Sequence, residues 1–131
     1  MPRSLVSKER RAAAGALILA FGLAASLPAN GQPQSSGKDI YARACADCHQ
    51  PNGAGLPGAF PALAHDPLVN GAPSLGARIV LEGAGPMPDF DNQLSDAQIA
   101  AVLSYVRSSF GNTAPPVPAA LVAGVRAKLA H

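Results

Sequence analysis

The sequence predicts a small all-α domain built from three to four short helices and ordered loops. Apolar residues recur at steps of three and four in separate segments, and no stretch alternates apolar with polar residues as a half-buried strand would. Between those segments lie runs dense in glycine and proline, which number 13 each in the chain and interrupt regular structure.

The N-terminus comes first. Lys8, Arg10 and Arg11 precede an apolar stretch from Ala12 to Leu27, followed by Pro28, Ala29, Asn30 and Gly31. This order reads as a secretory signal peptide spanning residues 1–31, cut after the small residues Ala29 and Gly31. The apolar stretch is shorter than the roughly twenty residues a membrane-spanning helix needs. An uncleaved N-terminal anchor is the alternative, and the basic flank argues against a buried core helix. Cleavage would leave 100 residues, enough for one domain whose core is marginal without added support. Arg3, Lys8, Arg10, Arg11 and Glu9 leave with that segment, so the remainder holds six basic and seven acidic residues. The basic character of the whole chain therefore says nothing about nucleic acid, and no Lys/Arg cluster follows residue 31 to suggest it.

Residues 32–112 are expected to form the main domain. After a polar lead-in from Gln32 to Gly37, the spacing of Ile40, Tyr41 and Ala44 predicts a first helix over 38–46. From Gln50 to Pro73 repeated glycines and prolines predict a long loop, and a loop that long in a small domain is usually wrapped around something. Ser74 is a candidate N-cap for a helix through Leu75, Ile79, Val80 and Leu81 that is ended by Gly83 and Gly85. The run G-P-M-P-D-F at 85–90 is too rich in proline for a helix and reads as extended loop. Ser95 and Gln98 form a capping box that starts the clearest helix, with Ile99, Val102, Leu103, Val106 and Phe110 in one apolar stripe ended by Gly111 and Asn112. Residues 113–131 read as a proline-rich linker and a short C-terminal helix from Ala119, with Leu121, Val125 and Leu129 on one side.

The chemistry concentrates in C-A-D-C-H at residues 45–49. In C-x-x-C-H two thiols add across the vinyl groups of a haem, and the next residue places its imidazole on the iron. Three other readings compete. A thioredoxin-type redox pair would have no need of His49. A zinc site would need a fourth ligand from His65 or His131. A disulfide between Cys45 and Cys48 would close too small a loop to stabilise much. One covalently attached haem c, held by Cys45, Cys48 and His49, accounts for both spacing and order.

A six-coordinate iron needs a second axial ligand, and Met87 is the sole methionine after residue 31. Pro86 and Pro88 stiffen the backbone on either side. A thioether can simply fill a core gap, but a single methionine in a stiff loop is better explained as a ligand, with His65 as rival. His49 and Met87 together would raise the potential relative to two imidazoles and leave no open iron site for catalysis.

These residues resemble those of the class I c-type cytochrome family from Gly37 to Phe110. In that family a small residue and an aromatic eight and four positions before the first cysteine let the first helix cross the last, and Gly37 and Tyr41 occupy those offsets, with Val102 and Tyr105 opposite. The resemblance implies that the Pro61 carbonyl accepts from the proximal imidazole, that Leu63 packs on the haem face and that Phe90 covers a ring edge. Residues 85–112 and the tail V-P-A-A-L-V-A-G-V-R are similar to the cytochrome c subunits of periplasmic alcohol- and aldehyde-type dehydrogenases, although those often carry several haems. The implied role is a periplasmic one-electron carrier, taking electrons from a dehydrogenase and passing them to a membrane oxidase or cytochrome, with membrane association through the N-terminal segment as an option. Two other functions are open at this point: a gas-binding or sensing protein with a labile Met87, and a peroxidase using His65.

Overall fold

A computed structural model of the chain describes residues 35–130. The expected signal peptide at 1–31 and the terminal His131 lie outside the described residues. Among those described there are six helices, isolated bridges and no strand, consistent with the all-α class. No helix among them is long and apolar enough to cross a membrane.

Helix α1 (Gly37–Ala44) is started by Ser36, whose hydroxyl accepts from the Asp39 N–H while the Asp39 carboxylate accepts from the Ser36 N–H. The predicted first helix ran on to residue 46, but the chain breaks at Cys45 (φ −123°, ψ −34°) and restarts as the single turn α2 (Ala46–His49). The Cys45 carbonyl accepts from both the Cys48 and His49 N–H groups, which winds the attachment motif into its own turn.

The loop predicted for 50–73 holds another single turn, α3 (Pro67–Asn70). The Asp66 carboxylate accepts from the Val69 N–H at 2.9 Å, and Pro67 at the first position has no N–H to satisfy. Helix α4 (Pro73–Glu82) begins one residue before the expected cap. Its N-cap is Ala72, which makes no side-chain bond, and Pro73 at the start replaces the capping role assigned to Ser74. It ends at Gly83 as expected.

Helix α5 (Asp96–Arg107) has the Ser95/Gln98 capping box that the sequence predicts. It stops at Arg107, a turn before the predicted end. Phe110 and Gly111 take positive φ (57° and 80°), and the reversal folds Phe110 back onto Tyr41 and Tyr105. The last helix, α6 (Ala119–Leu129), follows the proline linker.

The core has two parts that share α5. On one side Ile40 and Tyr41 of α1 pack with Val102 and Val106, joined by Val69. On the other, Ala77 and Leu81 of α4 and Val122 of α6 pack with Ile99 and Ala100, so the C-terminal helix is part of the same core. Arg126 fixes its end, donating to Asp96 Oδ1 (2.8 Å), to the Leu94 carbonyl (2.9 Å) and to Asp91. Where α1 crosses α5, a Cβ on Gly37 would lie 2.1 Å from the Ala101 carbonyl oxygen, so the crossing requires glycine. Tyr41, Tyr105 and Phe110 close that corner as a three-ring cluster with centroids 5.2–5.8 Å apart.

Candidate haem-binding site

One turn of helix sets the order of the reactive groups. With Cys45 at its head and Cys48 three residues on, the two half-buried thiols lie on the same side, while His49 is buried. The His49 Nδ1 lies 2.9 Å from the Pro61 carbonyl oxygen. A carbonyl only accepts, so Nδ1 donates to it, which leaves Nε2 as the ring nitrogen that could meet a metal.

The Pro61 carbonyl is held by backbone bonds within the loop. The Gly55 N–H donates to the His49 carbonyl (2.9 Å), and the Leu63 and Ala64 N–H groups both donate to the Gly53 carbonyl. The Tyr41 hydroxyl donates to the Gln50 carbonyl at 2.7 Å, tying the start of the loop to α1. Burial pushes the Tyr41 hydroxyl up to about 12, with Cys45 and Tyr105 adding to it, so it acts as a neutral donor. Burial, with Cys48 adding, pushes the Cys45 thiol up to about 11. A redox dithiol needs a lowered thiol pKa, so this environment disfavours the thioredoxin-type reading.

Met87 sits in the loop after α4. Ala84 and Met87 exchange backbone hydrogen bonds (3.0 and 3.2 Å), and the Phe90 N–H donates to the Val80 carbonyl, which closes the loop over the end of α4. Gly83 makes this fold-back sterically allowed: its φ is +75° and a Cβ there would meet the Met87 carbonyl oxygen at 2.6 Å.

All six residues singled out by the sequence, Cys45, Cys48, His49, Pro61, Leu63 and Met87, line one cavity of about 380 Å³. Phe90 lines it too, and the remaining walls are mainly apolar, with Leu68, Val69, Ile79, Val80, Val102 and Leu103. His65 is not among its lining residues; it is exposed and takes a positive φ of 51°. Among the described residues no group of three His, Cys, Asp or Glu side chains could hold a metal ion. Two thiols, an imidazole with a free Nε2, a thioether sulfur and greasy walls suit a haem.

Two residues at this site escaped the sequence reading. Arg107 lines the cavity and is buried, and buried Asn112 donates to the Leu63 and Val106 carbonyls while accepting from the Asp66 N–H and the Asn70 amide. Asn112 was legible only as a helix stop, and Arg107 only as a charge at the end of an apolar stripe. Their partners lie up to 49 residues away in the chain.

Residues 32–106 match the family model described as cytochrome c oxidase, cbb3-type, subunit III. The chain is 38% identical over 95 residues to cytochrome c-552 of Thermus thermophilus, covering 60% of this chain and 71% of that protein. It is 36% identical over 110 residues to the cytochrome c subunit of the quinone alcohol dehydrogenase of Gluconacetobacter polyoxogenes, covering 75% of this chain. It is 34% identical over 97 residues to the gluconate 2-dehydrogenase cytochrome c subunit of Pantoea cypripedii, covering 64% of this chain. The chain spans only 22% of the length of either dehydrogenase subunit. Together with the helical fold and the attachment turn, these matches establish that the chain belongs to the cytochrome c family, whose members bind haem c covalently and carry electrons without being catalysts themselves.

Proposed function

We propose that the protein is a periplasmic monohaem cytochrome whose iron would be held by His49 and Met87, accepting electrons from a dehydrogenase and passing them to a membrane oxidase or cytochrome of a respiratory chain. The observation that carries this reading is the single cavity lined by both cysteines, His49 and Met87. Bound there, haem supplies one iron centre that alternates between ferrous and ferric states. Cys45 and Cys48 would hold it by thioether bonds, and the single C-x-x-C-H in this sequence supports one haem. His49 offers Nε2, with Pro61 fixing the ring through Nδ1. Met87 offers a soft sulfur that favours the ferrous state. Leu63, Val102 and Leu103 exclude water, which limits the reorganisation that each electron transfer requires.

The relatives named as dehydrogenase cytochrome subunits support a dehydrogenase as donor. The N-terminal segment, Lys8 to Gly31, supports export. The paired backbone bonds of Ala84 and Met87 favour a held ligand over a labile one, so electron carriage is preferred to gas sensing. The test is a reduced-minus-oxidised spectrum of the secreted protein and of Met87→Ala. Both should show a c-type α band, while the variant loses the far-red sulfur-to-iron band and gains carbon monoxide binding. Retention of the far-red band in the variant would refute the ligand assignment. Stopped-flow mixing with candidate dehydrogenases that leaves the haem redox state unchanged would refute the donor assignment.

A further inference from the structure

Arg107 is a buried cation without a counter-ion among the described residues. The residue is 6% exposed at the end of α5. Its Nε donates to the Pro115 carbonyl (2.8 Å), and Nη1 donates to the Val69 (2.6 Å) and Gly71 (2.9 Å) carbonyls. All three acceptors are neutral. Among the described residues the ion pairs involve Arg78 and Arg126, and no carboxylate reaches Arg107. Burying a cation among neutral dipoles is costly unless an anion completes the site.

The third nitrogen, Nη2, takes part in none of these bonds. No fully enclosed side-chain nitrogen or oxygen lacks a partner among the described residues, so Nη2 is not fully enclosed. Arg107 lines the haem cavity, and with Nε and Nη1 both held the planar guanidinium, Nη2 included, is fixed in place. Among the described residues the one other Asp, Glu, Lys or Arg lining that cavity is Asp66, whose Oδ1 accepts from the Val69 N–H. A haem entering these apolar walls brings two carboxylates, its propionates.

We propose that Arg107 is the propionate-binding residue of this protein, its Nη2 donating a charge-assisted hydrogen bond to one haem carboxylate. The inference rests on the haem reading above. It makes Arg107 a positioning residue for the cofactor and an electrostatic one for the iron. Neutralising a propionate removes a negative charge that would otherwise stabilise ferric iron. The carbonyls of residues 69, 71 and 115 then hold the guanidinium as a preformed cradle.

The experiment uses the full holoprotein with propionate carboxyls labelled with carbon-13, as wild type, Arg107→Gln and Arg107→Lys. A pyridine haemochrome spectrum first establishes covalent haem in each; its absence from the wild type would overturn the haem reading, a separate failure. Isotope-edited infrared spectra then read the carboxylates directly. In R107Q one propionate stretch should move to the solvated position, and in R107K it should stay nearer the wild-type position. The ferric-to-ferrous ratio of R107Q at fixed ambient potential should rise about threefold or more. Unmoved carboxylate bands in R107Q would overturn the proposal, even if the ratio changed. Should neither variant accumulate with haem, the wild type decides alone: two distinct carboxylate stretches support the pairing, and two coincident solvated ones refute it.

Discussion

Replacing Gly37 by alanine puts a methyl group into the tightest helix crossing of the molecule. The new Cβ would lie 2.1 Å from the Ala101 carbonyl oxygen, 2.7 Å from its carbon and 2.9 Å from the Tyr105 Cβ. These atoms belong to the backbone of α5 or adjoin it, so no rotamer change relieves them. Separation to ordinary contact requires α1 to retreat by on the order of 1 Å, lifting Ile40 and Tyr41 off Val102 and Val106. Overpacking of this kind costs about 1–3 kcal/mol, and loosening the Tyr41 ring contacts adds about 0.5–1.5 kcal/mol per pair. The helical preference of alanine returns at most about 1 kcal/mol. The expected net loss is about 2–3 kcal/mol. For a domain of this size that lowers Tm by on the order of 10–20 °C. Thermal unfolding of the holoprotein, followed by far-ultraviolet circular dichroism, measures it. Gly124 in α6 is the control, because a Cβ there meets nothing within 4 Å and alanine should be neutral or stabilising. A Gly37→Ala protein as stable as wild type would refute the reasoning.

Asn112→Ala removes four hydrogen bonds at once, to the Leu63 and Val106 carbonyls and from the Asp66 N–H and Asn70 amide. With part of these groups reaching water, the expected loss is about 3 kcal/mol, seen as a lower guanidinium midpoint at unchanged slope; a shift under about 0.5 kcal/mol would contradict it. Tyr41 gives a pH dependence. Its folded pKa, about 12, lies above the unfolded value near 10, so the folded state keeps the proton more tightly. The stability this supplies is intact below about pH 10 and lost as pH rises toward about 12. Tyr41→Phe should lose on the order of 1 kcal/mol at neutral pH with the bond to Gln50, yet show less alkaline destabilisation. Parallel alkaline unfolding curves for the two proteins would show that another group titrates.

How much could be read from the sequence depended on the range of each interaction. The attachment turn and the Ser95/Gln98 cap were legible because their partners lie within four residues, close enough for spacing alone to specify them. The helix ends were less so. The break at Cys45 and the reversal at Phe110 serve contacts with α5 and with Tyr41, which no local propensity encodes. The turn at Pro67–Asn70 was hidden by the surrounding glycines and prolines, although Asp66 and Pro67 carry its cap and start. Pro61 and Leu63 were reached through family resemblance, since a carbonyl leaves no mark in a residue's identity.

By itself, then, the sequence determined the helical class, the attachment motif and the candidate ligands, because each is written in nearby residue types. The tertiary structure decided that Met87 and His49 line one cavity, that α6 belongs to the core, and that Arg107 lines that cavity without an anionic partner among the described residues. The physical reason is that these facts depend on backbone carbonyls and apolar faces brought together from distant segments, and such groups are alike in every residue until the fold places them.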